Sequence, residues 1–503
     1  MISSKTLLAV SFSLFLLCSC SHAKVTSYGG SHISPPSQYY NVMVNGEHIY
    51  VHSFGNKGYA HHIAHFGFDG TAEIEVTYNE KVIKDKLNIS PHRLKIDPVV
   101  KGNKFSFSLS QPRKLIISVN AAIVRYPNWR NLDEYQLLFI LAEEYDKTAP
   151  KPGGPGVINA ADYNSAQAAV DACAKGQTVY FPSGTYSGFS LPRGNITLYL
   201  VPGAFIKKED QDVISFEHKD NVTIKGRGVI QGDGCPFQPK YSDYLTLEGV
   251  IIRNEYKGPP GNNWTFTPVK CHNAVIKNAK LFSHLKNDPP RGPPSAFQPQ
   301  CCSNMLVENS LGVSYDNGIA IKVGGWMNIG PPEPTSNVTF RNNIIWSMTG
   351  GYKIGTEIYA DIENFTFENN DIVMGGGNDD LFNRQRGTKF KNIRYINNRV
   401  ENNKLAFLSI GSLYREPDIY PFKGEMDVTF DNHVVEKIWR NDPGYKGLWA
   451  YATPDSKVKV TFNNLRVEGK LIGSLQDLKD LGLKYMKIEN VDIVFNTGCY
   501  ETP

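Results

Sequence analysis

Residues 337–342 read NVTFRN and residues 364–369 read NFTFEN. The same frame recurs as NAVIKN at 273–278, NMLVEN at 304–309 and NIRYIN at 392–397. Each segment opens on an Asn (Asn273, Asn304, Asn337, Asn364, Asn392), and a second Asn follows five residues later (Asn278, Asn309, Asn342, Asn369, Asn397). Between the two, apolar and polar residues alternate, as on a strand with one buried face. Successive segments are 31, 33, 27 and 28 residues apart, which leaves room for one strand-bearing unit with turns of variable length. Strands repeating in this way predict the stacked coils of a parallel β-helix. Coils stack at the ~4.8 Å spacing of hydrogen-bonded strands, so equivalent Asn fall above one another and their amides can form a ladder.

Upstream, TVYFPSGTY (178–186), ITLYLVPGAFIKKE (196–209), VTIKGRGVIQGDG (222–234) and LTLEGVIIRNEY (245–256) read as four earlier coils. Past Arg399 the repeat loosens, and KVKVTFNNLRVEG (457–469) and YMKIENVDIVFNTG (485–498) read as the last turns. Ahead of the coils, NSAQAAVDACAKG (164–176) predicts a short helix with Asn164 or Ser165 as N-cap and Gly176 as stop. A helix here would cover the open first coil, whose sheet edge is otherwise unpaired. The stretch KTAPKPGGPG (147–156) reads as a linker. Before it come short strands such as TAEIEVTY, KFSFSLS and KLIISVN, separated by Gly, Pro and Asn turns. They predict a β-sandwich. The expected class is all-β, with a β-sandwich at 24–147 and a right-handed parallel β-helix carrying the groove at 148–503.

The first 23 residues read as a signal peptide: Lys5 precedes an apolar run from Leu7 to Leu17, too short for a membrane span. Leu17-Cys18-Ser19-Cys20 resembles a bacterial lipobox, which would put a lipid anchor to an outer membrane on Cys20. Ser21-His22-Ala23 suits ordinary cleavage before Lys24. Either reading expects export, and no later apolar run reaches the ~20 residues of a transmembrane helix. A net charge of +4, from 53 basic and 49 acidic residues, is too balanced to point to nucleic acid. The 26 Tyr, 26 Phe and 6 Trp suit both a large β core and stacking against sugar rings. Six cysteines follow the signal (Cys173, Cys235, Cys271, Cys301, Cys302, Cys499), without C-x-x-C spacing, and read as buried thiols. No P-loop, HExxH, G-x-S-x-G or dinucleotide motif is present. No cofactor is expected, and nothing in the sequence specifies an oligomer.

If the second Asn sets the register, residues equally far beyond Asn309, Asn342 and Asn369 share a level. Ile321, Ile354 and Leu381 then point inward, and Ala320, Lys353 and Asp380 point outward. Asp316, Thr349 and Gly376 share a further outward level. One outer strip thus collects Asp316, Lys322, Lys353 and Asp380, with Asp379 beside it and Glu357, Arg384 and Arg386 on the following turns. Hydrolysis of a glycosidic bond needs two carboxyl groups. Asp316 and Asp380 sit two coils apart, so their backbones are ~10 Å apart and their side chains can lean into the ~6.5–9.5 Å range of an inverting pair. Asp379, Glu357 and, more weakly, Asp288 are the other candidates by position. Tyr315, Trp326, Trp346 and Tyr352 lie near the same coils as candidate sugar platforms, with packing in the turns as the competing reading.

Asp316-Asn317-Gly318-Ile319-Ala320-Ile321-Lys322 resembles the D-D-x-I-A-I-K segment of polygalacturonase-like glycoside hydrolases. The overall layout is similar to the dextranase and isopullulanase family, which carries a β-sandwich before a right-handed β-helix. The resemblance covers most of the chain in architecture and about residues 304–357 in motif. It implies that Asp316 is the general acid. The sequence departs from the family pattern at four points. Asn317 replaces the second Asp of the pair. Ser295 and Gln298 stand where an Asp one coil earlier is expected. Gly350 stands at the family's His. Asn378, Asp379 and Asp380 stand near the cationic triplet that would bind a uronate. Two anions at that level would repel a uronate carboxylate, so a neutral glycan is expected. A polysaccharide lyase using Lys322, Lys353, Arg384 and Arg386 is the second reading. A catalytically silent carbohydrate-binding protein is the third.

Overall fold

The computed structural model describes residues 24–55, 61–120, 136–210, 212–256, 264–285, 295–324, 330–376, 387–404, 406–413, 419–440, 447–483 and 486–498. Two antiparallel-rich sheets form the N-terminal sandwich. One runs Glu47–Ile49, Tyr40–Val44, Ala72–Tyr78, Lys104–Leu109, Val99–Lys101. Its strands alternate as a half-exposed sheet should: Ala72, Ile74, Val76 and Tyr78 are buried while Glu73 is exposed. The other runs Val25–Ser27, His61–Phe68, Leu137–Glu143, Arg113–Val119, Leu87–Ser90. In that sheet LLFILAE and HHIAHFGF are buried at every position. Leu138, Ile140 and Ala142 face the sandwich core, and Leu137, Phe139 and Leu141 face the second domain. A strand covered on both faces has no position left for a polar alternation.

The rest of the chain is a right-handed parallel β-helix. Its first sheet has 13 strands, from Val157–Asn159 to Asp492–Asn496, and its second has 12, from Gly184–Ser187 to Lys470–Leu471. The third side is assembled from short pairings. These include Ile319–Val323 with Tyr352–Ile358, and single bridges that line up Phe237, Phe266, Phe297 and Ile319. Ser165 caps the helix Ala166–Ala172, whose Ala166, Ala169 and Val170 close the top of the core. That strand Val157–Asn159 precedes the helix and already pairs with Thr178–Phe181, so the first sheet begins earlier than the coil pattern suggests. A second capped helix, Leu475–Asp480, packs Leu478 into the core towards the opposite end.

All ten framing Asn have a left-handed backbone, with φ between 49° and 57°. Asn tolerates that conformation better than other residues carrying a Cβ, so the frame marks the two corners of the first sheet. The outer ladder follows: Asn304 donates to Asn273, Asn337 to Asn304, Asn364 to Asn337 and Asn392 to Asn364, at 2.7–3.1 Å. A second ladder is fully buried. The side chain of Asn343 donates to that of Asn370, and Asn370 to Asn398, each at 3.0 Å. Inside, Phe340, Phe367, Tyr395, Phe430, Phe462 and Phe495 stack ring upon ring at 4.6–5.6 Å. The repeat therefore continues past Arg399, with Asn432 and Asn464 extending the second Asn row.

The sandwich lies across the outer face of the second sheet. Ile63, Ile116, Phe139 and Leu141 meet Phe205, Val229, Ile251, Phe282, Val313, Trp346 and Met374 in one apolar layer. Polar knots lock it. Glu143 is ion-paired to both Lys280 and Arg227, Arg93 to Asp371 at 2.6 Å, and Glu401 accepts from the Ser90 hydroxyl and the His92 amide at 2.6 Å each.

Candidate active site

Asp316 stands at the corner where the second sheet, through Leu311–Ser314, turns into the third side at Ile319–Val323. Two hydroxyls bond its backbone carbonyl: Ser314 Oγ at 2.9 Å and, from the next coil, Ser347 Oγ. Its carboxylate is gripped from both neighbouring coils. Thr349 Oγ1 donates to Oδ1 at 3.1 Å and Ser295 Oγ to Oδ2 at 3.2 Å. A carboxylate held from the coil below and the coil above has one orientation, fixed by the stack itself.

Lys322 and Lys353 complete the setting. Lys353 lies one coil beyond Ala320, and Lys322 is ion-paired to Glu357. Burial raises the Asp316 carboxyl above its ordinary range, against the pull of Lys353, Lys322 and the two hydroxyls. Asp316 nevertheless remains partly open to solvent. Burial lowers the Lys322 ammonium, and the Glu357 carboxylate opposes that shift. The arrangement sets a carboxyl group, shifted by burial towards its protonated form, in the field of two cations.

The structure thus brings together Asp316, Lys322, Lys353 and Glu357 of the sequence candidates. Ile321 and Ile354 point into the core as the register requires, whereas Ala320 is fully buried rather than on an outer strip. Asp379, Asp380, Arg384, Arg386, Trp326 and Asp288 lie outside the described residues. Three aromatic candidates are corrected. Tyr352 pairs with Ile319, points inward with no exposed surface, and packs its ring 4.8 Å from Phe367. Tyr315 ends the strip of the second sheet that the sandwich covers, and its ring sits 5.9 Å from His61 and 6.1 Å from Trp346. Outward there means under the sandwich, so Tyr315 and Trp346 are packing residues and not sugar platforms. Ser295 as a partner of Asp316 was visible in sequence only as the residue replacing an expected Asp.

The five cysteines Cys173, Cys235, Cys271, Cys301 and Cys302 are buried free thiols, and Cys499 lies outside the described residues. Among the described residues no three His, Cys, Asp or Glu side chains cluster so as to hold a metal ion.

Two solved structures are similar over nearly the whole chain. The dextranase Dex49A from Penicillium minioluteum aligns with a TM-score of 0.63 and 10% identity, covering 94% of this chain and 98% of that one. A family 28 exopolygalacturonase from Yersinia enterocolitica aligns with a TM-score of 0.52 and 14% identity, covering 93% and 100%. The chain shares their β-helix fold. No family model matches the sequence, and no curated protein matches it.

Proposed function

We propose that this chain is an exported glycoside hydrolase that cleaves a poly- or oligosaccharide, with Asp316 as the acid that protonates the leaving oxygen. The setting of Asp316 carries this reading: a carboxyl group partly open to solvent, oriented by Thr349 and Ser295, with burial favouring its protonated form. The fold shared with a dextranase and an exopolygalacturonase supports the same class of chemistry. An inverting mechanism needs a second carboxylate to activate water. The sequence register puts Asp379 and Asp380 forward for that role. Glu357 is engaged by Lys322 and acts as a positioning residue.

A neutral glycan is the favoured substrate. The sequence puts Asp379 and Asp380 near the level where a uronate-binding groove carries cations, and two anions there would repel a uronate. A lyase would need a free lysine as base, and the engagement of Lys322 by Glu357 counts against it. The test is digestion of neutral α-glucans and galactans beside polygalacturonate, with reducing-end release and the absorbance of an unsaturated product read separately. Asp316→Asn should lower turnover by roughly two orders of magnitude or more, on the scale of general-acid catalysis, while substrate binding persists. Full activity in that variant, or depolymerisation of polygalacturonate alone, refutes the reading.

A further inference from the structure

A groove of about 510 Å³ runs between the sandwich and the β-helix, along the second Asn row. It lies on the opposite edge of the second sheet from Asp316: Asn309 precedes and Asp316 follows the strand Leu311–Ser314, seven residues away, on the order of 20 Å for extended chain. Five cationic and three anionic side chains line it, so its field is net positive. Some of these charges are matched across the domain boundary, as Arg93 is by Asp371 and Arg227 by Glu143. Arg113 is not. Among the described residues its guanidinium reaches only the neighbouring Pro112 carbonyl at 3.3 Å, and burial, with the nearby Arg93, disfavours its charge. Lys114 beside it is pushed down to about 8 by burial, although Glu143 attracts it. A fork of donors without an ion-pair partner among the described residues, on a groove whose cations outnumber its carboxylates, is an anion-binding arrangement.

The floor of the groove is different. Asn309 is exposed there, and Asn342 and Asn369 join amide to amide at 2.5 Å on the next two coils. These amides repeat at the ~4.8 Å coil pitch, comparable to the length of one pyranose unit. Each offers both donor and acceptor to a hydroxyl. The volume is within the range of small-ligand clefts.

We propose that this groove is a second carbohydrate-binding site, taking an oligosaccharide that bears carboxylate or sulfate groups. Arg113 holds the anionic group, and the Asn row holds ring hydroxyls. The carbohydrate part rests on the proposed function; the anionic part rests on Arg113 alone. Since the hydrolytic site is on the other flank of the sandwich, occupancy here anchors the chain to an acidic glycan without occupying the site of cleavage.

The experiment is calorimetric titration of the full chain with four probes: oligogalacturonate, a sulfated gluco-oligosaccharide, a neutral gluco-oligosaccharide of the same length, and sodium sulfate. Arg113→Gln removes the fork. Asn309→Asp adds a negative charge to the floor at a left-handed position that Asp also accepts (φ 49°), and so serves if Arg113→Gln fails to fold. One or both acidic probes should bind, at least tenfold more weakly in each variant and in higher salt, and the better of the two names the anionic group. Hydrolysis of the glycan substrate should be unchanged in both variants. Equal binding of the neutral probe, acidic binding that survives both substitutions, or no binding of either acidic probe overturns the proposal. Sulfate binding as tightly as the oligosaccharides means an adventitious ion only and overturns it too. Groove binding without hydrolysis of any glycan would leave the groove standing and remove the hydrolase reading; hydrolysis without groove binding would do the reverse.

Discussion

Glu143→Gln should be among the most destabilising single substitutions in the chain. The Glu143 side chain is 4% exposed and lies at the domain boundary. Its carboxylate contacts Lys280 and Arg227, has His65 Nε2 at 3.3 Å, and accepts weakly from Asn278 at 3.4 Å. Burial works to raise its pKa, but Lys280, His65 and Arg227 outweigh that and hold it well below the carboxylate range. Lys280 is fully buried and also donates to the Gly249 carbonyl at 2.7 Å. Removing one partner of such a pair strands the other charge, at a cost of about 3–5 kcal/mol. Lys280→Met added to Glu143→Gln should restore most of that, because Arg227 borders the groove and can turn to water. The sign of the pH dependence follows from Lys280, pushed down to about 7 by burial. A depressed lysine penalises the fold below its folded pKa and stops doing so as pH rises towards the unfolded value of ~10.4. Without Glu143 the lysine is depressed further, so the deficit of the variant should be largest near pH 6 and should shrink above about pH 7. Urea denaturation followed by tryptophan fluorescence measures all three quantities. A loss under about 1 kcal/mol, or a double variant no better than the single one, would refute the reasoning.

The buried ladder offers a second perturbation. Asn370→Ala removes an amide that donates to the Phe340 carbonyl at 2.9 Å and to Asn398, and accepts from the Asn343 amide at 2.9 Å. Orphaning several buried groups at ~1–3 kcal/mol each should cost about 3 kcal/mol or more in urea denaturation, whereas Asn364→Gly, in the exposed ladder, should cost under about 1 kcal/mol. Glu401, pushed up to about 7 by burial against the pull of His92 and Ser90, offers a third. A raised carboxyl contributes stability that is complete below the unfolded pKa of ~4.3 and is lost as pH rises through the folded value, on the order of 3 kcal/mol here. His92, raised by its bond to Glu436, loses its contribution in the same sense above its unfolded pKa of ~6.5. Glu401→Gln should therefore flatten the stability profile between pH 5 and 8, roughly the span set by those pKa values. Parallel profiles for the two proteins would contradict this.

The coil register was legible because it rests on local chemistry. Asn at the corners tolerates left-handed backbone, and the strands between alternate, so the ten framing positions announce themselves. The pairings Ala320 with Lys353 and Ile321 with Ile354 follow by counting, and so does the approach of Thr349 to Asp316. What counting from a strand cannot supply is what covers it. Tyr315 and Trp346 point outward from the coil, but the sandwich lies there, and sugar platforms become core. The same cover explains why LLFILAE shows no alternation. Asn343, Asn370 and Asn398 follow the framing Asn immediately and share their residue type, so the interior ladder was hidden beside the exterior one. Glu143 and Lys280 are 137 positions apart, and no local pattern joins them.

A stack of coils is held together only between neighbours, so left alone it should open from its ends one rung at a time. The sandwich changes that. Its apolar face touches seven consecutive strands of the second sheet, from Ala204–Lys207 to Asp371–Gly376, and its polar contacts continue to Glu401 and Glu436. Those rungs are splinted: none can peel away without lifting a rigid plate from all the others. Amide hydrogen exchange should accordingly be uniform and slow across the splinted length, and should quicken abruptly past Glu436, in strands such as Lys457–Asn463. A gradual decay from the centre outward would mean that the plate merely rests on the stack. Asp316, with its grips from the coils on either side, lies in the middle of the splinted length, where a displacement of one coil against the next, enough to part a carboxylate from Thr349 or Ser295, is the motion the sandwich suppresses.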